Sequence, residues 1–183
     1  MSVGVVNLSG SKNGFADYFE FFNLPRQFKI DRQLLDQSYL KVQQEVHPDK
    51  HVSAADSEKR QSLQIATYAN TAYQTLKQAL KRGFYLCELA GLDPQLETNT
   101  SMPRNFLMQQ MELREAMDDA KQDATALSEL QDQVQSQLRT LIVTIGEQFD
   151  QQQNPNLALE NLRAALFLER FVEELDYRIS DLT

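Results

Sequence analysis

The sequence predicts an all-α chain of two modules, an N-terminal helical hairpin followed by a C-terminal three-helix bundle. Three observations carry this. Apolar residues recur at spacings of three and four through several long segments, the period of one face of an α-helix. Gly and Pro are scarce, at six and five among 183 residues, while Gln, Leu, Ala and Glu abound and favour helix. The charge changes abruptly near residue 90. Residues 15–90 carry ten Lys+Arg and nine Asp+Glu, a net of +1, and residues 91–183 carry seven and seventeen, a net of −10.

Residues 1–14, ending at Gly14, are small and polar, with Lys12 as the one basic residue. They have the features of neither a secretory signal nor an Arg-rich transit peptide and are expected to form a flexible tail. The first element opens at Asp17-Tyr18-Phe19-Glu20, where an N-cap acid is followed three residues later by a glutamate, a capping-box-like start. This short helix is expected to run on through Phe21 and Phe22 and to stop at Pro25.

The hairpin follows. Leu35, Tyr39, Val42 and Val46 form one helical face, and Pro48 ends that helix because it lacks an N–H and drives the preceding residue out of helical geometry. After a polar loop through Ser53, Ala54, Ala55 and Asp56, a second series runs through Ile65, Ala69, Ala72 and Leu76. His47-Pro48-Asp49 therefore lies at the hairpin tip, displayed to solvent, where it reads as a contact site.

In this setting the tripeptide resembles the signature of the J-domain family. Two further stretches agree in order and spacing. Asp17 to Pro25 resembles the opening "DYF…LGLP" helix, and Asn70-Thr71-Ala72-Tyr73-Gln74-Thr75-Leu76 resembles the "INxAYxxL" stretch of the third J-domain helix. The resemblance covers about residues 15–90 and implies that this module stimulates ATP hydrolysis by a DnaK-class chaperone. His47, Pro48 and Asp49 would make the contact, with Arg32, Lys41 and Lys50 beside them. One departure stands out. The helix before the tip is usually rich in Lys and Arg, whereas here its outward positions are expected to carry Gln33, Gln37, Gln43 and Gln44. A weakly basic face gives less electrostatic steering and suits a dedicated pairing with one chaperone.

The second module begins after the turn Gly91-Leu92-Asp93-Pro94 and a polar connector through Ser101, so residues 91–102 are expected to be a linker and 103–183 a bundle. Its first helix runs from about Pro103, well placed as an opening residue, to Lys121. A second passes through Leu127, Leu130, Val134, Leu138, Leu141, Ile145 and Phe149. Asn154-Pro155-Asn156 breaks the chain, and a third helix carries Leu168, Val172, Leu175 and Ile179. Helices joined by short loops fold back on one another, which gives an antiparallel bundle.

The first bundle helix has more apolar surface than packing requires. At roughly 100° per residue, Phe106, Leu113, Met117 and Ala120 share one stripe, assigned to the core. Leu107, Met108 and Met111 fall nearly opposite, beside Glu112, Glu115 and Asp119, and Phe167 lies away from the Leu168–Val172–Leu175 stripe. Apolar patches rimmed by charge often mark partner surfaces.

Phe106-Leu107-Met108-Gln109-Gln110-Met111-Glu112-Leu113-Arg114-Glu115 is similar to the "FLMEQLELRE" helix of the HscB-type co-chaperones of iron–sulfur cluster assembly, in which a J-domain precedes an acidic three-helix bundle. That resemblance covers nearly the whole chain after Gly14. It implies two protein partners, a specialised DnaK-class chaperone (HscA) at the J-domain and a cluster scaffold protein (IscU) at the bundle. The scaffold contacts it implies are Leu107, Met108, Met111, Glu112, Glu115, Asp119 and Phe167. Met111 stands where the family has leucine, and Asp119 where it has glutamate.

Other chemistries find little support. Cys87 is the only cysteine, whereas clusters are held by several thiolates, and no C-x-x-C pair suggests zinc. Cys87 lies among Phe84, Tyr85, Leu86 and Leu89 and is expected to be a buried structural thiol; a lone cysteine fits a reducing cytoplasm. His47 and His51 have metal-ligand spacing, but Pro48 breaks the helix that would align them. There is no Gly-rich phosphate loop and no nucleophile elbow, so neither an enzyme nor a cofactor is expected. The acidic second half disfavours nucleic acid, and no apolar run is long enough to cross a membrane. A passive helical scaffold or coiled coil would account for the bundle but would leave the displayed tripeptide without a role.

Overall fold

The computed structural model describes residues 16–46, 55–94, 104–120 and 122–182. His47, Pro48, Asp49, Lys50 and the tail over 1–14 lie outside the described residues, as do His51, Pro103 and Lys121. Among the described residues every regular element is a helix. In chain order these are α1 Tyr18–Phe21, α2 Arg32–Glu45, α3 Asp56–Lys77, α4 Ala79–Leu89, α5 Arg104–Asp119, α6 Ala124–Asp150 and α7 Pro155–Ser180. They pack as two compact units, Met1–Arg82 and Gly83–Thr183, and the division falls inside α4.

In the first unit Asp17 caps α1, its carboxylate accepting from the Glu20 N–H at 2.9 Å. That side chain is buried and ion-paired to Arg26, so the cap also ties down the loop that follows. The helix ends earlier than Pro25 requires. Phe22 is its C-cap, and Asn23 turns the chain with φ 54°, a left-handed conformation that Asn tolerates better than most residues. Phe19 and Phe21 point inward, and Tyr18 and Phe21 meet the Tyr68 ring edge-on at 5.2 and 5.0 Å, seating α1 on α3.

Asp31 caps α2 by accepting from the Gln33 and Leu34 N–H groups at 2.8 and 3.2 Å. Leu35, Val42 and Val46 are buried with Tyr39 half-buried, the face expected from their spacing. On α3, Ala69, Ala72 and Leu76 are fully buried and Ile65 half-buried. Glu58 reaches back to accept from the Ala55 N–H at 3.3 Å, half of a capping box, since alanine has no side-chain acceptor.

Gln78, extended at ψ 126°, separates α3 from α4. Arg82, only 9% exposed, donates to the Phe28 carbonyl at 2.6 Å and to the Leu76 carbonyl, with its guanidinium 5.0 Å from the Phe28 ring. It satisfies a carbonyl near the end of α3 that the helix leaves open. At the far end of α4, Gly91 at φ 77° closes a Schellman-type cap, with Leu92 N–H donating to the Cys87 carbonyl at 3.0 Å.

The second unit is dominated by the antiparallel pair α6 and α7. Asp123 caps α6, accepting from Thr125 and Ala126 N–H at 2.9 and 3.1 Å. Asn154 caps α7 at 3.2 Å with Pro155 in its first turn, so the Asn-Pro-Asn break is a helix start as much as a stop. Leu113, Met117, Leu127, Val134, Leu168, Phe171 and Leu175 form the core, with Ala120, Leu130, Leu138, Leu141, Val172 and Ile179 packed against it. At the other end of the pair, the Cys87 thiol donates to the Pro155 carbonyl at 3.8 Å, holding the last turns of α4 against the start of α7.

Candidate functional site

Helix α5 has two apolar faces, and the bundle uses only one. Phe106, Leu113 and Met117 are 8, 7 and 1% exposed, whereas Leu107, Met108 and Met111 are 45, 57 and 63% exposed. Glu112, Glu115 and Asp119 are all exposed beside them. Both stripes expected from the angular spacing are therefore present, one packed and one open.

Phe167 departs from the expectation that it points away from the core. It is half-buried and packs against the core cluster, its ring 5.7 Å from Phe106 and 5.8 Å from Phe171. An aromatic ring wide enough to bridge α5 and α7 covers part of the core from the seam and keeps one edge in solvent. Asp118, unmarked by any sequence pattern, pairs with Arg178 at 3.4 Å, and Arg114 pairs with Glu174 at 3.6 Å. These exposed pairs line the α5–α7 seam beyond Phe167, each contributing about 0–1 kcal/mol.

The opposite flank of α5 borders an open groove of about 700 Å³ against α6 and α7, with Phe106, Leu141, Ala164 and Leu168 among Gln109, Gln137 and other polar side chains. Gln109 donates to Gln137 across it at 3.1 Å. This groove faces a different direction from the Leu107–Met111 stripe and contains none of the expected scaffold contacts.

In the first unit, Lys41 is exposed on the solvent face of α2 together with Gln33, Gln37 and Gln44. Gln43 is not outward. It turns onto α3 and donates to the Asn70 side-chain carbonyl at 2.9 Å. Arg32 is likewise engaged within the hairpin, donating to Asp36 at 2.8 Å, the Tyr73 hydroxyl at 3.3 Å and the Lys77 carbonyl at 3.2 Å. Desolvation works to raise the Asp36 carboxyl, but the Tyr73 hydroxyl and the Arg32 guanidinium hold it below the usual carboxylate value. Of the cations expected at this surface, Lys41 points to solvent, Arg32 is exposed but held by partners within the hairpin, and Lys50 is outside the described residues. The i, i+4 spacing of Arg32 with Asp36 was a signal in the sequence for an internal pair. Their link to Tyr73 was not, since it depends on α3.

Cys87 is fully buried, and desolvation pushes its thiol up to about 11, with the Arg163 charge pulling the other way. A thiol held protonated is a poor nucleophile and metal ligand. Among the described residues no group of three or more His, Cys, Asp or Glu is placed to hold a metal ion, and no helix is long and apolar enough to cross a membrane.

Residues 102–176 match the family model described as the HSCB C-terminal oligomerisation domain. The chain is 40% identical over 159 residues to a co-chaperone protein HscB homolog of Bordetella avium (strain 197N), covering 87% of this chain and 95% of that one. It is 41% identical over 167 residues to the HscB homolog of Burkholderia thailandensis, covering 90% and 95%. Among solved structures, it superposes on chaperone HscB from Vibrio cholerae with a TM-score of 0.80 and 31% identity, covering 91% of this chain and 99% of that one. On human co-chaperone protein HscB the TM-score is 0.83 with 28% identity, covering 91% and 84%.

Proposed function

We propose that this chain, which belongs to the HscB family of co-chaperones, brings an IscU-like iron–sulfur cluster scaffold protein to an HscA-like, DnaK-class chaperone and stimulates that chaperone's ATPase. The scaffold seats on α5, against Leu107, Met108 and Met111, with Glu112, Glu115 and Asp119 at its rim and Phe167 at the seam. The chaperone engages the segment after α2, through His47, Pro48, Asp49 and Lys50, with Lys41 on the adjoining helix face. Arg32 belongs to this surface as a brace of the hairpin. Joining the two binding modules raises the local concentration of client at the chaperone. The chain supplies no chemistry of its own in this scheme. It acts in the cytoplasm and needs neither cofactor nor metal.

The observation that carries the client half is the open stripe on α5. Three large apolar side chains, 45 to 63% exposed on one short helix, sit inside an acidic border although the same helix already buries its other face. Self-association through this stripe fits less well. In an isologous pair the same patch meets itself, which would bring the acidic border of Glu112, Glu115 and Asp119 close to that of the second copy. Like charges brought together across an interface cost several kcal/mol.

Calorimetric titration with an IscU-like scaffold and single-turnover ATP hydrolysis by an HscA-like chaperone test the two halves. The intact chain should bind the scaffold and accelerate hydrolysis. Asp49→Asn, which removes a charge at nearly constant volume, should abolish the acceleration while leaving the scaffold titration unchanged, and His47→Gln should do the same. Full acceleration by both variants would sink the chaperone half; absence of scaffold binding by the intact chain would sink the client half.

A further inference from the structure

We infer that a polar and aromatic ladder between α2 and α3, with Asn70 and Tyr73 as its central rungs, sets the axial register of the hairpin, and that these two are positioning residues for the proposed ATPase stimulation. The inference rests on the reading of the hairpin as the chaperone-engaging module.

The apolar seam between these helices specifies register weakly along its middle. Along α3 the buried positions facing α2 include Ala69 and Ala72, both fully buried. Two alanines one turn apart make a shallow stretch with little knob-into-hole discrimination, and Leu76 is the one large side chain of α3 that is fully buried with them. Polar partners add directional discrimination, because a slide of one residue's rise, about 1.5 Å, takes a hydrogen bond out of range and exchanges it for one to water. Fixing register is the best-attested use of polar groups between packed helices.

The rungs run antiparallel and fill one flank of the seam. Asn70 accepts twice on one oxygen from successive turns of α2, from the Tyr39 hydroxyl at 2.7 Å and the Gln43 amide at 2.9 Å. The Tyr39 ring stacks on Tyr73, with centroids 4.1 Å apart and planes at 16°. Tyr73 donates its hydroxyl to Asp36 at 2.9 Å and accepts from Arg32 at 3.3 Å. Arg32 also reaches the Lys77 carbonyl at 3.2 Å, and the Arg32 and Lys77 cations lie 5.6 and 5.5 Å from the Tyr73 ring centroid. Going down α2 from Gln43 to Tyr39, Asp36 and Arg32 goes up α3 from Asn70 to Tyr73 and Lys77. Every rung is satisfied in one register only. A slide of α2 along α3 would carry its C-terminal end, and the segment that follows Val46, with it.

The test combines a distance and an activity. Spin labels at Gln37 and Gln74, both exposed, are placed on a Cys87→Ala background, and the interlabel distance is measured with and without Asn70→Ala plus Tyr73→Phe, the latter keeping the ring stack. The intact ladder should give one narrow distance, and the double variant a distribution broadened or shifted by about 1.5–5 Å, one residue's rise to one turn. Maximal stimulation of an HscA-like chaperone should fall about tenfold, since misplacements of this size cost that much or more. Scaffold binding should be unchanged. Asn70→Asp alone, which keeps an oxygen for both donors and leaves Tyr73 intact, should keep the narrow distance and the stimulation. A double variant that keeps the narrow distance, or loses it while stimulating fully, would overturn the inference, provided that His47→Gln abolishes stimulation in the same assay. If His47→Gln stimulates fully, the chaperone reading fails and with it the assignment of positioning residues, and the label distances alone then decide whether the ladder sets the register.

Discussion

The rings of Phe106 and Phe167 meet edge to face, their centroids 5.7 Å apart and their planes at 86°. This contact joins α5 to α7 beside the open stripe, so Phe167 serves the fold and the proposed client surface together. Phe167→Ala should lower stability by about 1–3 kcal/mol, less than a fully buried Phe because part of the ring is already in water. Scaffold binding should weaken as well. Chemical denaturation paired with calorimetric titration reads both, and a variant that weakens binding at unchanged stability would show that the ring contributes nothing to the seam.

Leu107 and Met111 should behave differently from Phe167. Each is about half exposed or more, at 45 and 63%, and surface substitutions away from special features usually stay within about 0.5 kcal/mol. Replacing both with Ser should leave the melting curve nearly in place while scaffold affinity falls by about 2–4 kcal/mol, as for paired anchor residues at an interface. Retained affinity would make the stripe ordinary surface.

Leu113 and Met117, on the opposite face of the same helix, are 7 and 1% exposed within the bundle core. Truncating either to Ala removes buried surface and leaves a cavity, at a cost of about 2–5 kcal/mol. Urea unfolding should show the loss. A variant of Leu113 or Met117 that keeps full stability while losing scaffold binding would reverse the assignment of the two faces.

Cys87 gives a pH dependence with a definite sign. Burial raises its thiol from 9.0 to about 11 in the folded chain. Between these values the unfolded chain loses its proton while the folded chain keeps it, so the unfolded state binds fewer protons and stability falls as pH rises through that window. Below about pH 9 the contribution is absent. Its full size above pH 11 is about 1–3 kcal/mol. Denaturation midpoints of the natural chain and Cys87→Ala, compared from pH 8 to 10.5, should converge as pH rises. The folded thiol should also react with a disulfide reagent at pH 8 far more slowly than the unfolded one.

Much of this protein was legible in the sequence because helices are local. The spacings of Leu35, Tyr39, Val42 and Val46, and of Leu127 to Phe149, depend only on the period of the helix, and the structure buries or half-buries those residues. The two stripes of α5 were readable for the same reason: an angle around one helix axis needs no knowledge of its neighbours. Asp17 and Asn154, caps or breaks by residue type, kept those roles.

The tertiary structure decided what two helices do to each other. No Gly or Pro marks the break at Gln78, and α4 ends up contributing Arg82 to the first unit and Cys87 to the second. Phe167 was misplaced because an aromatic ring reaches across a seam that its own helix's periodicity cannot show. Arg32 and Gln43 look like free surface residues on α2 alone and lean onto α3 because Tyr73 and Asn70 wait there, 41 and 27 residues away in sequence. A side chain's local angle follows from the period of its helix; whether that direction meets water, a ring or a hydrogen-bond partner is settled only when another helix arrives beside it.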